Sequence, residues 1–264
     1  MTRGRLYLVP NTLDFGMDGQ EVDLREVLPD AVLARAASIT HWAAENAKTT
    51  RAFLKRVGAI HPLALPLQEQ RIEELPRPPK GRGPAANAAI ASSSEEKLWL
   101  ALLTPALDHG QDIGLISEAG MPAVADPGAK LVAAAHAAGI EVVPLTGPSS
   151  LLMALAASGL NGQSFAFVGY LPLEAAERSA RIKALDAFSA REQQTQLMIE
   201  TPYRNGALLQ ALLATLKPGT LLSVSCGLSL KNAWTHSATV AQWRQAPKAL
   251  PDKVPAVFAI LGAR

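Results

Sequence analysis

Leu115-Ile-Ser-Glu-Ala-Gly-Met-Pro-Ala-Val-Ala-Asp-Pro-Gly128 is the stretch on which the reading of this chain turns. It leaves an apolar run, Asp112–Ser117, that reads as a buried strand, and it enters a helix that stops at Gly139. Asp126 and Pro127 read as the cap and first turn of that helix. Open parallel sheets bind ligands outside the carboxyl ends of their strands. A loop this rich in Gly, Ala and Pro lets a ligand come close to the backbone. An ordinary strand-to-helix connection accounts for the same residues equally well.

Working outward, Glu141–Leu145 reads as the next strand, so strand, helix and strand form a βαβ unit with parallel pairing. A second small-residue loop, Leu145-Thr-Gly-Pro-Ser-Ser-Leu151, follows, with Ser149 placed to cap a helix that closes at Gly159. Upstream, Arg5–Pro10 reads as a strand, Asp23–Ala34 as a helix, Ser38–Trp42 as a strand and Ala44–Val57 as a helix stopped by Gly58. Gln68–Leu75 reads as a short helix. Pro76–Ser94 reads as a loop made basic by Arg77, Lys80 and Arg82, and Ser94 as the cap of a helix over Glu95–Leu107. Downstream come strands at Phe165–Tyr170 and Gln196–Glu200, and helices at Glu174–Phe188 and Asn205–Leu216. Strands at Leu221–Ser225, Ser237–Gln242 and Pro255–Leu261 complete the chain. The alternation predicts two α/β domains, residues 1–145 and 146–264, with a ligand cleft between them.

Composition narrows the class. The 264 residues are 48% hydrophobic and 18% charged, which suits a globular core. With 25 basic and 23 acidic residues the net charge is +2, so charge alone does not announce a nucleic-acid binder. The single cysteine, Cys226, excludes an internal disulfide and fits a reducing cytoplasm, although a periplasmic protein can also lack disulfides. No signal-peptide pattern or apolar run of membrane-spanning length is present. The five histidines lack ligand spacing, so no metal site is expected. The Walker phosphate loop, the hydrolase nucleophile elbow and the dinucleotide fingerprint are all missing.

Six segments occur in a telling order: Leu6–Pro10, Ser117–Pro122, Ala125–Gly128, Pro144–Ser149, Gly169–Pro172 and Glu200–Arg204. In that order the chain resembles the ribosomal RNA methyltransferase branch of the tetrapyrrole methylase superfamily, from Leu6 to about Leu261. The resemblance implies an α/β fold of two tetrapyrrole-methylase-type domains, with S-adenosyl-L-methionine in the cleft between them, and a homodimer. It implies methylation of a ribose 2'-hydroxyl of small-subunit ribosomal RNA. Residue by residue it assigns to the cofactor Pro10 and Leu13, then Gly120, Met121, Pro122 and Val124, then Ser149 and Ser150. It continues with Ile199, Cys226, Gly227 and Pro255. Tyr203 reads as a cover for the cofactor, although a core role explains it nearly as well.

Methyl transfer needs alignment more than activation, but a hydroxyl acceptor benefits from a general base. Glu45 and Glu118 are the candidates. Lys48, Arg51 and Arg204 are the candidates for holding a phosphate-bearing acceptor. Lys48, Arg51 and Lys55 share one helix face, which a simple solvated surface also explains. The chain departs from the family pattern in three places. Asn46 and Lys48 stand where the family has a second acid and an arginine. Met121 replaces a hydroxyl residue. Cys226–Leu230 lacks the charged residues of its counterpart, and the extra C-terminal domain of some members is not expected. Two other readings stay open: a methyltransferase of a small molecule such as a tetrapyrrole, and a non-catalytic member that binds cofactor or RNA.

Overall fold

The computed structural model describes residues 3–14, 22–76 and 93–264, the last with its side chains from residue 96 onward. The basic stretch around Arg77, Lys80 and Arg82 and the capping hydroxyl of Ser94 lie outside the described residues. The chain forms two compact units, Met1–Pro148 and Ser149–Arg264.

The first unit is built on a five-stranded parallel sheet of β1 (Leu6–Leu8), β2 (His41–Ala44), β3 (Arg71–Glu74), β4 (Ile113–Ile116) and β5 (Val142–Pro144). Their order across the sheet is β3-β2-β4-β1-β5. Successive side chains of a strand point to opposite faces, and here both faces are covered. Tyr7, Trp42 and Ile116 pack on one side with Phe53, Leu54 and Val57 of α3 (Ala47–Gly58) and with Leu33 of α2 (Asp30–Ser38). Leu6, Ala43, Ile113 and Leu115 pack on the other with Trp99 and Leu103 of α4 (Ser93–Asp108) and Leu131 of α5 (Ala129–Ala137).

After β1 the chain moves toward β2, whereas after β4 it moves to β5 on the far side of β1. That reversal creates a crevice at the carboxyl ends of β1 and β4. The βαβ unit of β4, α5 and β5 is parallel as expected, but β1 lies between its two strands.

The second unit carries a mixed sheet in the order β6-β7-β10-β8-β9. Its strands are β6 (Phe165–Phe167), β7 (Thr195–Ile199), β8 (Leu221–Cys226), β9 (Trp234–Thr239) and β10 (Ala256–Leu261). β6 and β7 are parallel, and the other pairings are antiparallel. Met198, Val224 and Phe258 face Leu185 of α7 (Ala175–Glu192), Leu212 of α8 (Asn205–Thr215) and Trp243 of α9 (Val240–Gln245). Leu197, Val257 and Ala259 face Leu151 and Leu155 of α6 (Ser150–Ser158).

Several local expectations are corrected. The helix read over Asp23–Ala34 is two, α1 (Leu24–Val27) and α2, because Pro29 sits at the break in extended backbone and holds Leu28 extended before it. Gln68–Leu75 is not helical: Arg71–Glu74 pairs in parallel with β2 as the sheet edge. The strand read over Ser237–Gln242 ends at Thr239, which caps α9 through a reciprocal box with Gln242. Ser149 stands at the N-cap of α6 without a capping hydrogen bond from its side chain. Trp42, Trp99 and Trp243 are core residues as read. Among the described residues no helix is long and apolar enough to cross a membrane.

Gly114 in β4 packs against the Trp42 ring, and a Cβ there falls 2.6 Å from ring carbons. Overpacking of this kind costs about 1–3 kcal/mol. Gly114→Ala is expected to lower the urea midpoint accordingly without changing the m-value. An unchanged midpoint contradicts the packing described.

Candidate functional site

The site begins where β1 runs out. Val9 N–H still donates to Leu115 O at 2.8 Å, extending the β1–β4 ladder by a residue. Asn11 and Gly120 then exchange backbone hydrogen bonds of 2.9 and 3.2 Å. Gly120 takes a left-handed φ of +66°, which suits glycine. A Cβ on it would stand 3.2 Å from Leu13 and 3.6 Å from the Pro148 carbonyl. Gly147 is tighter still, since its Cβ would overlap Pro10 at 2.3 Å. Pro10, Leu13 and Gly120 thus converge with Gly147 and Pro148 at one edge of the first sheet.

Side chains lock this convergence. The Asn11 amide donates to the carbonyls of Ser117 and Glu118, at 3.3 and 3.0 Å. Thr12 donates its hydroxyl to Asp14 at 2.8 Å. Asp14 is buried and pairs with Arg56 of α3 at 3.3 Å, so the first loop is tied to a helix across the sheet edge. Beyond Gly120, Pro122 is buried, Met121 half-buried and Val124 exposed. Ala123 and Ala125 both hold left-handed φ values, 65° and 64°, which strains a non-glycine backbone by about 1 kcal/mol or more each.

Both candidate bases lie here. Glu45 follows β2, and its Oε2 accepts the Glu118 N–H at 3.0 Å. Asn46 caps α3 by accepting from Lys48 N–H, and its amide donates to Glu118 Oε1 at 2.8 Å. A third carboxylate joins them. Asp126 is not the cap of α5, whose N-cap is Gly128. Its carboxyl is pushed up to about 7, by burial first and then by the charges of Glu45 and Glu118. The Ser117 hydroxyl beside it eases the charged form slightly without making a well-aligned hydrogen bond. Burial also raises Glu45, against the opposing effect of the Glu118 N–H.

Lys48 and Arg51 are exposed on α3, opposite the buried Thr50, Phe53 and Leu54. Arg204 is held by Glu200 at 2.7 Å. In the second unit, Ile199, Cys226, Gly227 and Pro255 meet at one sheet end. Cys226 pairs with Ala256, Ile199 pairs with Val257, and Gly227 N–H donates to Pro255 O at 2.9 Å. Tyr203 is 78% exposed, so the core role is excluded. Ser149 and Ser150 open α6 and are half-buried. Sequence reasoning missed Asn11, Asn46 and Asp126 as site residues. Asn46 was within reach, since an Asn just before a helix is a strong capping signal.

The fold and this edge define a class. The profile of the tetrapyrrole (corrin/porphyrin) methylases matches residues 32–241, and the chain belongs to that family. Over 114 residues it is 46% identical to the ribosomal RNA small subunit methyltransferase I of Mesorhizobium japonicum, covering 42% of this chain and 37% of that protein. The protein of the same name from Xylella fastidiosa is 33% identical over 167 residues, covering 63% of this chain and 50% of its own length. The chain therefore matches about a third to a half of the length of these curated relatives. A crystal structure of the methyltransferase CobJ shares the fold, with a TM-score of 0.53 at 17% identity, covering 98% of this chain and 95% of that one.

The raised Asp126 carboxyl has a consequence for stability. Unfolded, an aspartate releases its proton near pH 4, whereas here it does so at about 7. Between those values the native state binds more protons, so this contribution is present at low pH and lost as pH rises through 7. Asp126→Asn removes it. Relative to the parent, the variant is expected to gain roughly 1–3 kcal/mol between pH 4.5 and pH 8 in urea titrations. A difference that stays constant with pH contradicts the assignment.

Proposed function

We propose that this protein is an S-adenosyl-L-methionine-dependent methyltransferase acting on a ribose 2'-hydroxyl of small-subunit ribosomal RNA. The observation that carries the reading is the sheet edge where Asn11 and Gly120 exchange backbone hydrogen bonds beside the Gly147–Pro148 turn. Family membership and the printed names of the relatives support the reaction and the RNA acceptor.

The edge suits the donor. Gly120, Ala119 and Pro122 leave backbone groups as its lining, and a Cβ at Gly120 would intrude on Leu13. Backbone N–H and C=O groups read a ribose or an amino-acid end without charged side chains. The donor supplies a methyl group on a sulfonium, already activated for displacement. Pro10, Leu13, Gly120, Met121, Pro122 and Val124 hold and orient it. The resemblance assigns Ser149, Ser150, Ile199, Cys226, Gly227 and Pro255 to the donor as well, and exposed Tyr203 serves as its cover. Glu45 and Glu118 stand at the same edge, with their oxygens fixed by hydrogen bonds from this chain. Lys48 and Arg51, on the helix that Asn46 caps, offer two exposed cations to RNA phosphates. Lysine at position 48 acts as a point charge and not as a bidentate fork. Arg204, already paired with Glu200, is the weaker candidate of the three. A ribosomal target implies the cytoplasm, and the homodimer is carried over from the resemblance.

The test uses S-adenosylmethionine with a tritiated methyl group and small ribosomal subunits. Label is expected in the RNA and, after digestion, in a 2'-O-methyl nucleoside. Lys48→Ala with Arg51→Ala is expected to raise KM for RNA by about tenfold at low salt and by less as salt rises, with donor affinity unchanged. Label that enters a tetrapyrrole and not RNA, or a KM indifferent to both changes, contradicts the reading.

A further inference from the structure

Glu45, Glu118 and Asp126 reach the carboxyl edge from two loops, those after β2 and β4, yet the three carboxylates are held very differently. Glu45 is oriented by the Glu118 N–H at 3.0 Å, and Glu118 by the Asn46 amide at 2.8 Å. Asn46 is itself immobilised as the cap of α3. One oxygen of each of these two carboxylates is held by the protein. Asp126 has no such donor. The group beside it is the hydroxyl of Ser117, a residue only 3% exposed whose Oγ completes no hydrogen bond of its own.

A buried hydroxyl left unpaired is costly and is normally satisfied by something. Ser117 and Asp126 together therefore form an unfinished polar pair, half-open to solvent on the Asp126 side. The turn that presents Asp126 is fixed by its backbone. Pro122 and Pro127 bracket it, and Gly120, Ala123, Ala125 and Gly128 all have positive φ. Strain of this kind persists where the surrounding structure dictates a conformation. No cation pairs with any of the three carboxylates among the described residues.

We propose that Asp126 is the general base of the reaction, with the buried Ser117 hydroxyl beside it and Glu45 and Glu118 on the same edge. The proposal rests on the methyl-transfer reading above. In the step, the acceptor hydroxyl oxygen attacks the methyl carbon of a sulfonium donor. The O–C bond forms as the C–S bond breaks, and the bonding pair of the C–S bond stays on sulfur, which becomes a neutral thioether. The hydroxyl proton passes to an Asp126 carboxylate oxygen. Burial first, and then the like charges of Glu45 and Glu118, lift the proton affinity of Asp126 toward neutrality, where a general base is most effective. Glu118 and Glu45, with fixed hydrogen bonds, serve as positioning residues.

Three measurements test this on the whole chain. Carbon-detected NMR of the protein alone is expected to show the Asp126 carboxyl titrating near neutral pH and moving toward the ordinary range in Glu45→Gln. Asp126→Asn is expected to bind S-adenosylmethionine within threefold of the parent by calorimetry, yet to lose about 100-fold or more in kcat on small ribosomal subunits. It is also expected to lose the acidic limb of the kcat/KM profile. An Asp126→Asn protein that keeps kcat within threefold, or an Asp126 carboxyl that titrates near 4, overturns the proposal and leaves the methyltransferase reading standing. A parent protein that binds no S-adenosylmethionine overturns that reading, and the proposal with it.

Discussion

The backbone exchange between Asn11 and Gly120 is the constraint on which the rest of the site depends. It joins the loop after β1 to the loop after β4 by a two-way pairing outside the regular sheet. Only a residue that tolerates a φ of +66° fits at position 120. The Asn11 side chain repeats the connection by donating to two carbonyls of the β4 loop. Because β1 and β4 are neighbours at the reversal of strand order, this pairing forms one wall of the crevice that such sheets open at their carboxyl ends. Asp14 and Arg56 extend the same lock to α3 through an ion pair of 3.3 Å.

The carboxylates follow from that assembly. The family pattern has an acid where this chain has Asn46. An amide does something an acid does not: it accepts from the first N–H groups of α3 with its oxygen and donates to Glu118 with its nitrogen. Its neutrality adds no further charge beside Glu45, Glu118 and the already raised Asp126 carboxyl. Lys48, in the first turn of the same helix, is exposed and keeps the positive charge of the arginine that the resemblance puts there.

Much of the fold was legible in the sequence, because buried parallel strands and Gly-stopped helices leave plain signals. The loop from Leu115 to Gly128 announced itself through its Gly, Ala and Pro content. What stayed hidden depends on non-local contacts. Arg71–Glu74 carries no strand pattern of its own and becomes a strand through its pairing with β2. The short α9 was masked by an apparent strand continuing past Thr239. Asp126 before Pro127 looks like a helix cap, yet two left-handed alanines postpone the helix to Ala129 and leave its carboxyl facing Glu45 and Glu118. No spacing rule joins residues 45, 118 and 126, since the sheet alone brings their loops together. The residues assigned by resemblance separated in a similar way. Pro10, Leu13 and Gly120 converge in the first unit, and Cys226, Gly227 and Pro255 in the second.

The central claim is that the edge shaped by Gly120 receives S-adenosylmethionine. Calorimetric titration tests it most directly, on the parent chain and on Gly120→Val, with ATP and NAD as controls and Gly162→Val as a substitution into open space. The account predicts micromolar binding of S-adenosylmethionine alone, retained in Gly162→Val. It predicts at least about a thirtyfold loss in Gly120→Val protein that still unfolds cooperatively, a difference of roughly 2 kcal/mol. Binding that is absent from the parent, or unchanged in Gly120→Val, would contradict it.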